Sequence, residues 1–165
     1  MMDSLSKDSL SKIRILGIYQ IVGGVIGLGV TIVGAIQSEH LSTLWFIFLI
    51  GILLFGYSIY CGNLLLEKKI NGLKYSLIHQ CLQLVHFFFF SFGFAYASGL
   101  TLSIGLNIND YNLLFNFTLS TLAINIDTTT TDTFLSLNLI PLFIILFIGK
   151  IKEEISKADK TVEAL

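Results

Sequence analysis

Hydrophobic residues along this chain form four long runs, 13–36, 44–66, 75–100 and 134–149, with a segment before the last where they alternate with polar ones. A helix needs about 20 apolar residues to cross a hydrocarbon core of roughly 30 Å, and the first three runs are that long. The fourth holds 16 residues, about 24 Å of helix; the pattern predicts a helix from Phe134 bent at Pro141. From residue 101 onward the apolar positions recur every second residue: Leu102, Ile104, Leu106, Ile108; Leu113, Phe115, Phe117, Leu119; Leu122, Ile124, Ile126; Leu135, Leu137, Leu139. Period two is the signature of strand. Turns are predicted at Asn109-Asp110, at the phase change Ser120-Thr121 and within 127–133. The expected product is an antiparallel β-meander with one Leu/Ile/Phe face and one Thr/Ser/Asn face. An apolar face without charge needs a cover, which makes Phe115, Phe117 and Leu119 an expected external assembly face.

Charge fixes the expected topology. The ten basic residues fall into three clusters, Lys7/Lys12/Arg14, Lys68/Lys69/Lys74 and Lys150/Lys152/Lys157/Lys160. Lys and Arg accumulate in cytoplasmic loops, so the clusters belong on one side, with an even number of spans between each pair. The expected fold is therefore a membrane α-helical protein: a four-transmembrane-helix bundle with cytoplasmic N- and C-termini and an extracytoplasmic β-meander between helices 3 and 4. Segments 37–43 and 101–133, which carry no Lys or Arg, lie outside. Residues 1–165 read as a single integral membrane domain, and a lone Arg against many Ile, Asn and Lys fits a bacterial cytoplasmic (inner) membrane.

Composition agrees, since 54% of residues are hydrophobic and only 13% charged, far from soluble averages. A net charge of −1 speaks against nucleic acid as a partner. Cys61 and Cys81 lie near the expected cytoplasmic helix ends, where thiols stay reduced.

Two stripes at steps of three and four residues run along the expected helices. Helix one carries Gly17, Gln20, Gly24, Gly27, Thr31 and Gly34, a small-residue face for close helix packing. Helix three carries Ser76, His79, Gln83, His86, Phe90, Gly93 and Ala97. His79, Gln83 and His86 are pore or pocket candidates, as is Gln20. If the hairpin turns about residue 71, equal depth pairs His79 with Asn63, Gln83 with Tyr60 and His86 with Tyr57, which would satisfy each polar group by an interhelical hydrogen bond. No Asp, Glu or further His stands near the stripe, so neither a metal nor a cofactor is expected there. The expected spans hold no charged residue beyond their ends, which disfavours a proton-coupled transporter, and no catalytic motif appears, so no enzyme is expected.

The segments 15–29 (ILGIYQIVGGVIGLG), 60–66 (YCGNLLL), 76–84 (SLIHQCLQL) and 94–100 (FAYASGL), followed by the alternating strands, resemble a group of small four-helix bacterial membrane proteins with an external β-rich loop. The likeness covers residues 13–150. It implies the same architecture and brings no activity, cofactor or site residue. The functional expectation is a non-enzymatic subunit in the lipid bilayer that forms a homo-oligomer or binds a protein partner. The alternatives are a small channel or membrane-perturbing effector, as in phage defence, and a haem- or quinone-binding membrane subunit.

Overall fold

Two long helices, α1 (Lys7–Gln37) and α2 (Leu41–Leu66), pack antiparallel, and both are long and apolar enough to cross a membrane. The structure, a computed structural model, describes residues 7–39, 41–90, 92–126 and 133–163. Glycines bring the two backbones together. A Cβ on Gly17 would lie 3.0 Å from the Gly62 carbonyl oxygen and one on Gly24 2.8 Å from that of Phe55, while the Phe55 ring fills the space over Gly27. Thr31 turns its hydroxyl back to the Gly27 carbonyl (2.8 Å) and meets Gly51 with its side chain. Gly34 is looser, its nearest neighbour being the Phe48 ring at 3.6 Å.

The chain reverses at Lys68, whose left-handed backbone (φ 54°) ends α2 and lets the Lys69 amide donate to the Leu64 carbonyl at 3.0 Å. The third helix, α3, spans only Ile70–Leu82, 13 residues or about 20 Å. The expected span over 75–100 therefore does not form. After Gln83 and Leu84 the chain becomes strand: β1 (Val85–Phe89), β2 (Phe92–Asn107), β3 (Asn112–Ile126) and β4 (Phe134–Asn138). Val and Phe favour extended backbone, and a continuous apolar run does not by itself distinguish helix from strand. The expected helix from Phe134 is likewise corrected, because β4 persists to Asn138 and α4 (Leu139–Glu163) starts after it. Pro141 sits in the first turn of α4, where its missing N–H costs nothing. Among the described residues the chain thus has four helices and an antiparallel sheet, with two candidate spans in place of four.

The four helices meet at one end. Ile13 and Leu16 of α1, Leu65 of α2, Leu73 of α3 and Ile148, Ile151 and Ile155 of α4 form one buried cluster. The Ser9 hydroxyl donates to Glu154 Oε2 at 2.8 Å beside it. The same packing gathers the basic stretches of α1, of the α2–α3 turn and of α4 at this end.

The sheet order is β1-β4-β2-β3, with β1 also paired to β2. This replaces the expected meander, because β4 returns between β1 and β2. Since β3 takes one edge of β2, the other edge must serve β1 at Phe92–Phe94 and β4 at Ser103–Asn107. β1 and β4 also pair with each other, and all these pairings are antiparallel. Three mutually antiparallel strands cannot lie in one plane, so β2 turns a corner between its two halves. The corner is at Ala97–Leu100, where the register shifts and Gly99 adopts φ +99°, a conformation open to glycine. Opposite it, Ser120 (φ 41°) bends β3 where a turn was expected. The turn at Asn109-Asp110 does form, and 127–132 lie outside the described residues.

Candidate functional site

Where α3 gives way to the sheet and the sheet to α4, polar side chains occupy the interior. Gln20, Ser58, Ser76, His79, Gln80, Gln83, Ser98 and Ser120 are all buried, and buried polar groups are stable only when hydrogen-bonded. Here they join α1, α2, α3 and the sheet. Ser76 Oγ donates to Gln20 Oε1 (3.1 Å) and Ser58 Oγ to the Gln20 carbonyl (2.8 Å). Ser98 ties the corner of β2 into the network: its hydroxyl lies 2.8 Å from Ser58 Oγ, and its amide donates to Gln83 Oε1 at 2.6 Å. Ser120 Oγ donates to the Gly23 carbonyl (2.9 Å) while accepting from the Gly99 amide (3.0 Å). A Cβ on Gly23 would stand 2.5 Å from the Gly99 nitrogen, so helix and sheet backbones touch there.

The partners define the state of His79. Tyr96 OH donates to the Leu54 carbonyl (2.9 Å), so it accepts from His79 Nε2 (3.0 Å). Gln83 has its oxygen turned to Ser98, and its Nε2 donates to His79 Nδ1 (3.1 Å). One nitrogen donates and the other accepts, which is a neutral imidazole. His86 Nε2 donates to the Tyr96 carbonyl (3.1 Å). Tyr96, fully buried, thus links both histidines. Gln20 Nε2, Thr101 Oγ1 and Asn138 Nδ2 are buried with no hydrogen-bond partner among the described residues.

Beyond His86 a cavity of about 410 Å³ lies within the bent sheet. Its walls alternate polar and aromatic groups: Ser103, Asn116, Thr121, Asn125 and Ser136 with Phe87, Phe94 and Phe134. The outer face of the sheet has the opposite character. Leu100, Leu102, Ile104 and Leu106 of β2 and Leu135 and Leu137 of β4 are exposed, as are Phe115 (70%), Phe117 (71%) and Leu119 of β3, whereas Thr101 (1%) and Ser103 (2%) are covered.

The structure brings together His79, Gln83, His86 and Gln20, and adds Tyr57, whose ring meets His79 edge-on at 5.8 Å. It does so in a different register. Because the hairpin turns at Lys68 instead of near residue 71, His79 faces Tyr57, and the Tyr60 ring meets that of Tyr75 at a tilt, 6.1 Å away. The expected pairs of His79 with Asn63, Gln83 with Tyr60 and His86 with Tyr57 are therefore corrected; Asn63 and Tyr60 face outward. His86 is on a strand, not on a helix face with His79. Phe115, Phe117 and Leu119 share one strand face. Tyr96, Ser98 and Ser58 are central to the network and were missed. The available signal was the alternation of large Phe92, Phe94 and Tyr96 with small Gly93, Ala95 and Ala97, a period-two pattern that hydropathy does not register. Among the described residues no three His, Cys, Asp or Glu side chains gather as a metal site would require. Comparison of the chain with protein-family models, with curated proteins and with solved structures finds no match.

Proposed function

We propose that this chain is a non-enzymatic subunit of the cytoplasmic membrane that assembles with further copies of itself through its sheet. The α1–α2 pair crosses the bilayer, with the basic ends of α1, α2 and α4 on the cytoplasmic side as the distribution of Lys and Arg requires. α3 and α4 reach only part of the way across and cover the cytoplasmic half of that pair. The turn at Ser38 and Glu39 that follows α1 then faces outward.

The observation that carries this reading is the outer edge and face of β3. Among the described residues β3 pairs only with β2, so one edge of its 15 residues is open. It carries neither Lys nor Pro, the usual protection against strand pairing, and Phe115 and Phe117 stand exposed on its face. An open strand edge is not tolerated against lipid; strand pairing with a second copy satisfies its amides and covers the phenylalanines. The channel alternative has less support, because the cluster of Ile13, Leu65, Leu73 and Ile151 closes the cytoplasmic end of the polar interior.

The test is the mass of the nanodisc-held particle. A multiple of 18.3 kDa is expected for the natural chain, and a monomer for the double variant Phe115→Glu/Phe117→Lys with α1 and α2 still inserted. A natural chain that is monomeric in nanodiscs at all protein loads overturns the proposal.

A further inference from the structure

We infer that the cavity inside the bent sheet binds a neutral, flat, carbonyl-bearing ring that partitions into the bilayer, a ligand of the quinone headgroup type. The volume of about 410 Å³ falls within the range of small-molecule sites, roughly 300–1,000 Å³. The chemistry of the wall narrows the class. No Lys, Arg, Asp or Glu lines it, and between residues 75 and 149 the only ionisable acids or bases of those types are Asp110, Asp127 and Asp132. A phosphate, carboxylate or ammonium ligand would enter without a counter-charge, at high desolvation cost.

The wall is nevertheless not apolar. Ser103, Thr121, Ser136, Asn116 and Asn125 line the cavity from β2, β3 and β4, the Thr121 hydroxyl also donating to Thr118 Oγ1 at 3.3 Å. These groups donate to carbonyl oxygens without changing charge. Phe87, Phe94 and Phe134 provide aromatic surface for a ring, with preferred contact by offset or edge-on stacking. His86 forms part of the wall; with Nε2 committed to the Tyr96 carbonyl at 3.1 Å, Nδ1 remains as a hydrogen-bonding atom. Next to the cavity wall, Asn138, the register partner of Ser103, has its amide nitrogen buried with no hydrogen-bond partner among the described residues, and the Thr101 hydroxyl, two residues before Ser103, likewise has none among them. This stretch of sheet therefore holds more hydrogen-bonding capacity than the chain itself uses.

The ligand's route follows from the surface. The sheet's outer face is Leu, Ile and Phe, so a lipophile dissolved in the bilayer reaches the cavity without crossing a charged zone. This part rests on the membrane reading above; the cavity's chemistry does not.

The experiment is equilibrium binding of a short-chain benzoquinone to the full chain in nanodiscs, with empty nanodiscs as the baseline and particle mass recorded in parallel. Saturable binding of one quinone per chain is expected. Ser136→Leu and Asn116→Leu, each of which removes a donor and fills the cavity, should weaken it at least tenfold while Asn63→Leu, on the outward face of α2, leaves it unchanged. Absence of saturation above the empty-disc baseline for the natural chain overturns the inference. So does unchanged affinity in either cavity variant, its thermal midpoint verifying that it is folded. Because mass is read separately, a monomer that binds quinone would sink the assembly proposal and keep this one.

Discussion

The two ends of the α1–α2 pair are built on opposite plans. At the basic end four helices enclose Ile13, Leu16, Leu65, Leu73, Ile148, Ile151 and Ile155, an interior as apolar as that of a soluble protein. At the other end Ser, Thr, Gln, His and Asn side chains are buried beside Tyr96 and Phe88, and the leucines of β2 and β4, with Phe115 and Phe117 of β3, are exposed. The difference concerns what can hold each part together. Where water is the alternative environment, burial of apolar area drives packing. On the membrane placement proposed above the sheet end faces lipid, which is as apolar as leucine, so burying leucine gains little there and specific hydrogen bonds and close backbone contacts do the joining. The sheet end uses both: the Ser120 bridge from Gly99 to Gly23, and the contact of those two glycine backbones.

This contrast is broken most directly by truncating leucine at each end. Leu73→Ala should destabilise the chain by about 2–5 kcal/mol, the usual range for a buried leucine, because Leu73 is fully buried among four helices. Leu102→Ala, on the exposed face of β2, should change monomer stability by no more than about 0.5 kcal/mol. Unfolding midpoints in mild detergent compare the two, and equal losses would mean that the sheet's outer face is itself a core.

A middle-sized effect is expected at the corner of β2. At Gly99 the backbone has φ +99°, and an added Cβ would stand 2.6 Å from the Tyr19 hydroxyl. Tyr19 in turn donates to the Leu100 carbonyl (3.2 Å). Gly99→Ala should therefore cost about 1–3 kcal/mol from strained backbone alone, with the sheet-to-α1 contact loosened. Faster amide exchange at Ser98–Leu102 with unchanged protection at Leu73 would localise the damage to the sheet end; uniform loss would show the two ends to be one cooperative unit.

How much of this was legible in the sequence follows the same division. The helical half was readable because its signals are long-range in hydropathy: α1 and α2 emerge near the boundaries read from their apolar runs, and the basic clusters gather at one end. The strands after residue 101 were readable by period two. The error lay between. Residues 85–97 are apolar throughout apart from His86 and Ser91, so polar positions do not alternate with apolar ones there, and the three-four spacing of His79, Gln83 and His86 continued to look helical past the point where the helix ends. Side-chain size carried the strand signal there, and polarity carried none. The polar network was half legible for a related reason. Its helical members stand out as polar residues in apolar runs, but Tyr96 and Ser98 reach it only because β2 turns a corner, a tertiary event that no local pattern encodes.

The smallest expected effect distinguishes the observed register from the one first read. If His79 depended on Asn63, Asn63→Ala would leave a buried imidazole nitrogen without a partner and cost about 1–3 kcal/mol. In the structure Asn63 is exposed and His79 is satisfied by Tyr96 and Gln83, so the expected change is within about 0.5 kcal/mol. Tyr96→Phe is the matched control. It removes the hydroxyl that accepts from His79 and donates to Leu54, leaving the buried His79 N–H without its acceptor, and should cost the 1–3 kcal/mol (roughly) that Asn63→Ala does not. Thermal midpoints of the two variants, measured side by side in the same detergent, decide between the turn at Lys68 and one three residues later. A large loss for Asn63→Ala with little for Tyr96→Phe would restore the later turn and remove the link between the helices and the corner of the sheet.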